Sequence, residues 1–239
     1  MELPNTDGLS GLFTAQPDPA GPVPLITGGV ALLLVLSGAP WRLARNGITI
    51  VHEAGHALVA LLAGRRLQGI RLHSDTSGVT VSRGRPSGPG MVLTSLAGYP
   101  APALLGLAFA GLLSANRTSA LLVIAAVLLL GVLVMIRNAY GVLSVLVAAG
   151  LLALIGLVAP PGLQSWLVYL LTWFFLFGGV RPVFELQAKR RRGAARDSDA
   201  DQLARLTGVP ALLWVTILFL IVLGCLVLGG LLLAEPAVK

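Results

Sequence analysis

The sequence predicts an all-α polytopic membrane protein, a bundle of about six to seven transmembrane helices with a small β-hairpin at its cytoplasmic face. Three observations predict it. Of 239 residues, 56% are hydrophobic and only 11% charged, and mean hydropathy is +0.87, whereas an ordinary soluble domain has about a quarter of its residues charged. Apolar runs near the bilayer-spanning length of about 20 residues recur along the chain. The basic residues behind the net charge of +7 fall between those runs, which makes membrane topology, and not nucleic acid, the reason for the charge.

In chain order, residues 1–23 carry Glu2, Asp7 and Asp18 with several prolines and glycines and no basic residue. They lack the positive n-region of a secretory signal peptide and read as a short flexible tail. Residues 24–239 read as a single transmembrane domain, with apolar runs over about 24–40, 43–63, 91–113, 118–137, 139–158, 163–180 and 210–233. Gly64-Arg65-Arg66 closes the second run: glycine suits a helix terminus, and arginines in a last turn meet the negative end of the dipole. About 67–85, apolar residues alternate loosely (Ile70, Leu72, then Val79, Val81) around Asp75-Thr76-Ser77-Gly78. This predicts two short strands and a turn, whose edges suit strand addition by an extended peptide. Leu96 to Ala103 is rich in small residues and holds Pro100 and Pro102, a pattern that lets helices approach closely or break, and it is expected to pack against the second run.

Arg137-Asn138 interrupts the apolar tract as a tight turn, with Asn138 a candidate either for the turn or for binding substrate backbone. Pro160-Pro161-Gly162 makes the opposite turn. The long polar segment, about 181–207, reads as a basic cytoplasmic loop whose Lys189-Arg190-Arg191-Arg192 lies near anionic headgroups, with Ser198 capping a helix that begins near Asp199. Cys225 is the single cysteine, so it forms no internal disulfide and reads as a packing residue. With the hairpin in the cytoplasm, the inside collects most of the arginines and the outside keeps only Arg42, Arg45, Arg117 and Lys239. The positive-inside rule then places the N-terminus in the cytoplasm and the C-terminus outside for seven spans.

Within the second run stands His52-Glu53-Ala54-Gly55-His56, the pattern H-E-x-x-H. On a helix, positions four apart lie about 40° from each other round the axis, so His52 and His56 project from one face and can share a metal ion. Two neutral imidazoles give tetrahedral Zn2+ half its ligands, and Glu53 beside them can take a proton from a water that the metal has acidified to a pKa of about 7. Three ionisable residues in an apolar stretch point to function, since a carboxylate near a bilayer centre costs roughly 2.5 to 3.5 kcal/mol. A third protein ligand is needed. His73, in the hairpin, reads as a solvated surface residue. Carboxylates outside the N-terminal tail are few: Glu53, Asp75, Glu185, Asp197, Asp199, Asp201 and Glu235. The three aspartates near Ser198 either supply the ligand or cap their helix and neutralise arginines.

This motif on a membrane helix, the hairpin after it and the Leu96-to-Ala103 run resemble the site-2 protease family of intramembrane zinc metallopeptidases, most closely its compact bacterial type B-like branch. In that branch the motif extends as His-Glu-x-Gly-His-Ala, here His52 to Ala57, and the stretch from Ser198 to Trp214 is also similar. The resemblance implies a zinc endopeptidase that cleaves membrane-anchored proteins, often regulators of transcription, within or beside a transmembrane segment. It implies His52 and His56 as zinc ligands and Glu53 as general base. Better-known members take the third ligand from an Asn-Pro-x-x-Asp-Gly-like motif, which this chain lacks; the similarity around Ser198-Asp199-Ala200 assigns it to Asp199, with Asp201 second. The alternative is a catalytically silent scaffold that binds transmembrane helices.

Overall fold

A computed structural model describes residues 22–193 and 197–234; most of the expected N-terminal tail, Glu235 and Lys239 lie outside them. The elements are α1 (Val23–Leu36), α2 (Ala39–Leu62), β1 (Arg66–Leu72), β2 (Gly78–Arg83), α3 (Pro89–Leu96), α4 (Pro100–Ser114), α5 (Thr118–Met135), α6 (Ala139–Ala153, prolonged by a π-helical turn Leu154–Val158), α7 (Pro161–Arg191), α8 (Asp199–Thr207) and α9 (Ala211–Ala234). Helices α5, α6 with its turn, α7 and α9 are each long and apolar enough to cross a bilayer. The pairs α1–α2 and α3–α4, bent by 100° and 68°, bring the count to six if each is one span. The expected multi-pass helical bundle with a hairpin is therefore present, with six crossings at most among the described residues.

Two expected runs, about 24–40 and 43–63, thus form one bent pair. With 14 residues, α1 rises only about 21 Å, short of a hydrocarbon core about 30 Å thick. The run 91–113 breaks because Pro100 lacks an N–H and opens α4 as its first residue, a position where the missing donor costs nothing.

The central layer is α1, α4, α7 and α9. Gly28 of α1 lies against Trp173 and the Val35 and Ser37 carbonyls accept from Arg181, so α1 runs parallel to α7. Helices α4 and α9 run antiparallel to it, and glycines set their spacing. A Cβ on Gly106 would stand 2.9 Å from the Leu176 backbone nitrogen, one on Gly179 2.8 Å from Ala103 Cβ, and one on Gly229 2.8 Å from Leu176 Cδ1. Small residues at such crossings replace the hydrophobic drive that lipid cannot supply with close van der Waals packing.

Helix α7 continues to Arg191, so much of the expected basic loop is helix. Its Glu185 accepts from Arg181 Nε at 2.9 Å and from Trp41 Nε1 at 3.2 Å, and pairs with Arg45 Nη2 at 3.3 Å. One carboxylate shared by Arg45 and Arg181 places both at the same end of the bundle. This corrects the expected split, in which Arg42 and Arg45 stood opposite Arg181. Since α1 is parallel to α7, its first residue, Val23, lies at the end away from Arg191.

Helix α2 ends as glycine dictates: Gly64 is left-handed (φ +71°), and Arg65 N–H bonds the Ala60 carbonyl at 2.9 Å, a Schellman closure. Arg65 and Arg66 fall beyond the last turn, where Arg65 instead donates to Ser82 Oγ and the Arg85 carbonyl. The hairpin is antiparallel, from Arg66↔Arg83 to Leu72↔Gly78, with an irregularity between Leu67 and Gly69. Its inner face buries Ile70 and Leu72 with Ile50 and Ala57 of α2 and with Ile136. Arg137 N–H bonds the Ile70 carbonyl at 2.9 Å, which secures part of the other edge of β1.

The glycine spacing predicts a measurable asymmetry. Gly179→Ala should destabilise the bundle by about 1–3 kcal/mol, the usual cost of overpacking. Gly111→Ala, which meets nothing within 4 Å, should leave thermal unfolding in detergent unchanged or slightly improved; equal melting temperatures for the two variants would refute the packing account.

Candidate metal centre

His52 and His56 lie on one face of α2, one turn apart, with their Nε2 atoms 3.1 Å apart. Asp199, the first residue of α8, brings Oδ2 to 3.3 Å from His52 Nε2 and 3.2 Å from His56 Nε2. Among the described residues this is the group of three that could hold a metal. For tetrahedral zinc with ligands at about 2.0–2.1 Å, the ligand–ligand edges are about 3.3 Å, so the observed triangle has the dimensions of one face of such a site.

The donor chemistry fits as well. His56 Nδ1 donates to the Thr94 carbonyl at 2.7 Å, which fixes the tautomer and leaves Nε2 as a lone pair. A lone pair on His56 Nε2 and a carboxylate oxygen 3.2 Å from it repel one another unless a cation or proton stands between them.

Space for the group comes from α3 and α4. Gly98, in the break between them, faces the imidazoles: a Cβ there would lie 2.3 Å from His56 Nε2 and 2.6 Å from His52 Nε2. On the next residue, the Tyr99 ring meets His52 edge-on at 4.9 Å. Gly55, within the pentapeptide, lets α2 approach this break, since a Cβ on it would stand 2.6 Å from Ala101 Cβ and 2.9 Å from the Ala97 carbonyl. The expected packing of the Leu96-to-Ala103 run against α2 is realised at this point.

Glu53 is 4% exposed and turns toward the hairpin, where Thr80 Oγ1 donates to its Oε2 at 2.7 Å. Gly78, two residues earlier on the same strand, makes room for the carboxylate, with an added Cβ falling 2.6 Å from Glu53 Cγ. Ser198 caps α8, its Oγ accepting from Asp201 N–H at 3.3 Å, and so fixes Asp199 in the first turn.

The other candidates lie elsewhere. Asp201 accepts from Ser198 Oγ at 2.6 Å and from Arg190, and is engaged there and not at the imidazoles. Asp197 is exposed and 4.0 Å from Arg205. His73 is an exposed residue of the hairpin turn, near Ser77 Oγ. Asn138 spends its amide on β1, donating to the Leu72 carbonyl at 2.7 Å and accepting from Leu72 N–H at 3.1 Å. Thr94, Gly98, Tyr99, Gly78 and Thr80 were not singled out by motif. Two signals existed: Gly78 and Thr80 share one face of a strand by alternation, and the Gly98-Tyr99-Pro100 sequence marks a helix break.

Gly98 generates a test. Gly98→Ala should lower affinity for a divalent ion by at least about tenfold, the lower end of the effect of disturbing a metal's surroundings, with helicity retained. Zinc titration of the detergent-purified variant, with circular dichroism as control, checks it.

No curated protein and no solved structure matches the chain. A family model described as Peptidase M50B-like matches residues 25–229, a stretch that contains α2, the hairpin, the α3–α4 break and α8. The chain is a member of the M50B-like peptidase family, a multi-pass membrane protein in which His52, His56 and Asp199 come together as a group that could hold a metal.

Proposed function

We propose that the protein is an intramembrane zinc metalloendopeptidase that cleaves membrane-anchored proteins within or next to a transmembrane segment. The observation that carries this reading is the triangle of His52 Nε2, His56 Nε2 and Asp199 Oδ2 with Glu53 on the adjoining position of the same helix. His52, His56 and Asp199 would hold the ion. Zinc, when bound, supplies a Lewis acid that lowers the pKa of a coordinated water to about 7 and polarises a carbonyl. Glu53 takes a proton from the attacking water, whose oxygen forms the new bond to the carbonyl carbon. The proton then passes to the amide nitrogen as the C–N bond breaks, and Glu53 returns to its starting state. A catalytically silent scaffold would not need three ligand atoms and a carboxylate in register; the placement of Asp199 favours catalysis over it.

The substrate class follows from the surroundings. A cavity of about 1480 Å³, lined almost wholly by apolar residues including Ile50, Ala54, Leu104 and Val147, lies along α2 and suits an apolar segment. A peptide bond in a continuous helix is shielded by its own hydrogen bonds, so the scissile stretch must unwind, and β2 offers a strand to pair with it. The site, the hairpin and the basic end of α7 share one end of the bundle with Arg45. The positive-inside rule makes that end cytoplasmic and near anionic headgroups. Asn138, which holds β1, would act on substrate through the hairpin.

Elemental mass spectrometry of detergent-purified variants, with cleavage of a membrane-anchored reporter, tests this. Glu53→Gln should keep the metal and lose turnover by about 10²–10⁴-fold, the usual contribution of general acid–base catalysis. Asp199→Ala should lose metal and turnover together, while Asp201→Ala keeps its metal. Full turnover by Glu53→Gln, or full zinc content in Asp199→Ala, removes that residue's role.

A further inference from the structure

We propose that Thr80 is a positioning residue for the reaction: its hydroxyl holds the Glu53 carboxylate in its working orientation, which makes β2 part of the machinery and not only a surface for substrate. The proposal rests on the peptidase reading above and deepens it.

The hydroxyl of Thr80 lies 2.7 Å from Glu53 Oε2 and 3.0 Å from the Glu53 carbonyl oxygen. It has one proton to give, and the ionised oxygen at the shorter distance is the stronger acceptor. Reaching both the side chain and the backbone of one residue, Thr80 clamps the torsions between them. Threonine suits this task because β-branching restricts its own χ1. Gly78 supports the other side: an added Cβ would come within 2.8 Å of Oε1 and 2.9 Å of Cδ, so the carboxylate lies against bare strand. Among the described residues, Oε1 accepts no hydrogen bond. One oxygen is thus tied and the other left to receive a proton.

A purely structural role is less economical, because the hairpin is docked by other bonds. Thr49 Oγ1 on α2 donates to the Thr76 carbonyl at 2.9 Å. Asn138 holds Leu72 by two bonds, and Arg137 N–H holds the Ile70 carbonyl. Those ties fix both the turn and β1 without Thr80. The Thr80 bond is the tie that ends on the reacting carboxylate.

The test compares Thr80→Val, which keeps the shape and removes the hydroxyl, with Thr80→Ser, which keeps the hydroxyl. Cobalt(II)-loaded, detergent-purified protein is titrated with acetohydroxamate, whose hydroxyl must be met by the carboxylate of Glu53, and binding is read from the visible spectrum of the cobalt. Thr80→Val should bind about 10- to 100-fold more weakly, the range for losing a supporting hydrogen bond near a metal, as Glu53→Gln does, with cobalt content unchanged. Thr80→Ser should bind like wild type. In the reporter assay the same pair should separate in kcat with little change in KM. Wild-type affinity in Thr80→Val, or equal weakening in both variants, would overturn the proposal. Thr80-dependent binding in a protein that cleaves no substrate would overturn the peptidase reading while leaving the positioning role in place.

Discussion

Imidazoles and carboxylates set among apolar helices are costly without polar partners, and the architecture around α2 brings such partners to His52, Glu53 and His56. Each partner comes from a different element. Thr94 of α3 takes the Nδ1 proton of His56, Thr80 of β2 gives its proton to Glu53, and Asp199 of α8 faces both Nε2 atoms. Tyr99, at the start of α4, covers His52 with its ring. Four elements therefore converge on two turns of one helix. The bend between α3 and α4 and the short α8 make geometric sense as the means of bringing those partners in.

The same logic governs the second polar group of the interior. Glu185 is shared by Arg181, Arg45 and Trp41, while Arg181 also stands over the Trp41 ring at 4.8 Å and binds the carbonyls at the end of α1. These contacts hold the 100° elbow between α1 and α2 against α7. They orient the helix that carries the histidines without touching the histidines themselves, and they do so with charges that would be costly if left single.

Much of this was legible in the sequence, and the reasons differ by residue. His52, Glu53 and His56 could be read because a helical repeat puts them on one face, and the hairpin because alternation and an Asp-Thr-Ser-Gly turn are local signals. Ser198 announced the start of α8. The assignment of Asp199 over Asp201 comes from family resemblance, since both sit in the same short helix and what separates them is what approaches each: Ser198 Oγ and Arg190 at Asp201, the two imidazoles at Asp199. Thr94 carried no legible signal, and Thr80 and Gly98 only the local ones of strand alternation and a helix break, because a threonine or glycine acquires its meaning from what approaches it across the fold. The bent pairs were read as separate or continuous spans because hydropathy measures apolar length and is blind to direction. The sides of Arg42 and Arg45 were misjudged for that same reason.

Asp199 sits on α8, near the end of the chain, whereas the histidines belong to its first quarter. At a synthesis rate of about 5–20 residues per second, roughly 7 to 29 s separate the emergence of His56 from that of Asp199. During that interval the rest of α2, the hairpin and the next five helices, α3 to α7, are made. On the peptidase reading proposed above, chain order makes Asp199 the last ligand to arrive: a copy truncated before α8 carries His52, Glu53 and His56 without the carboxylate that faces the two imidazoles.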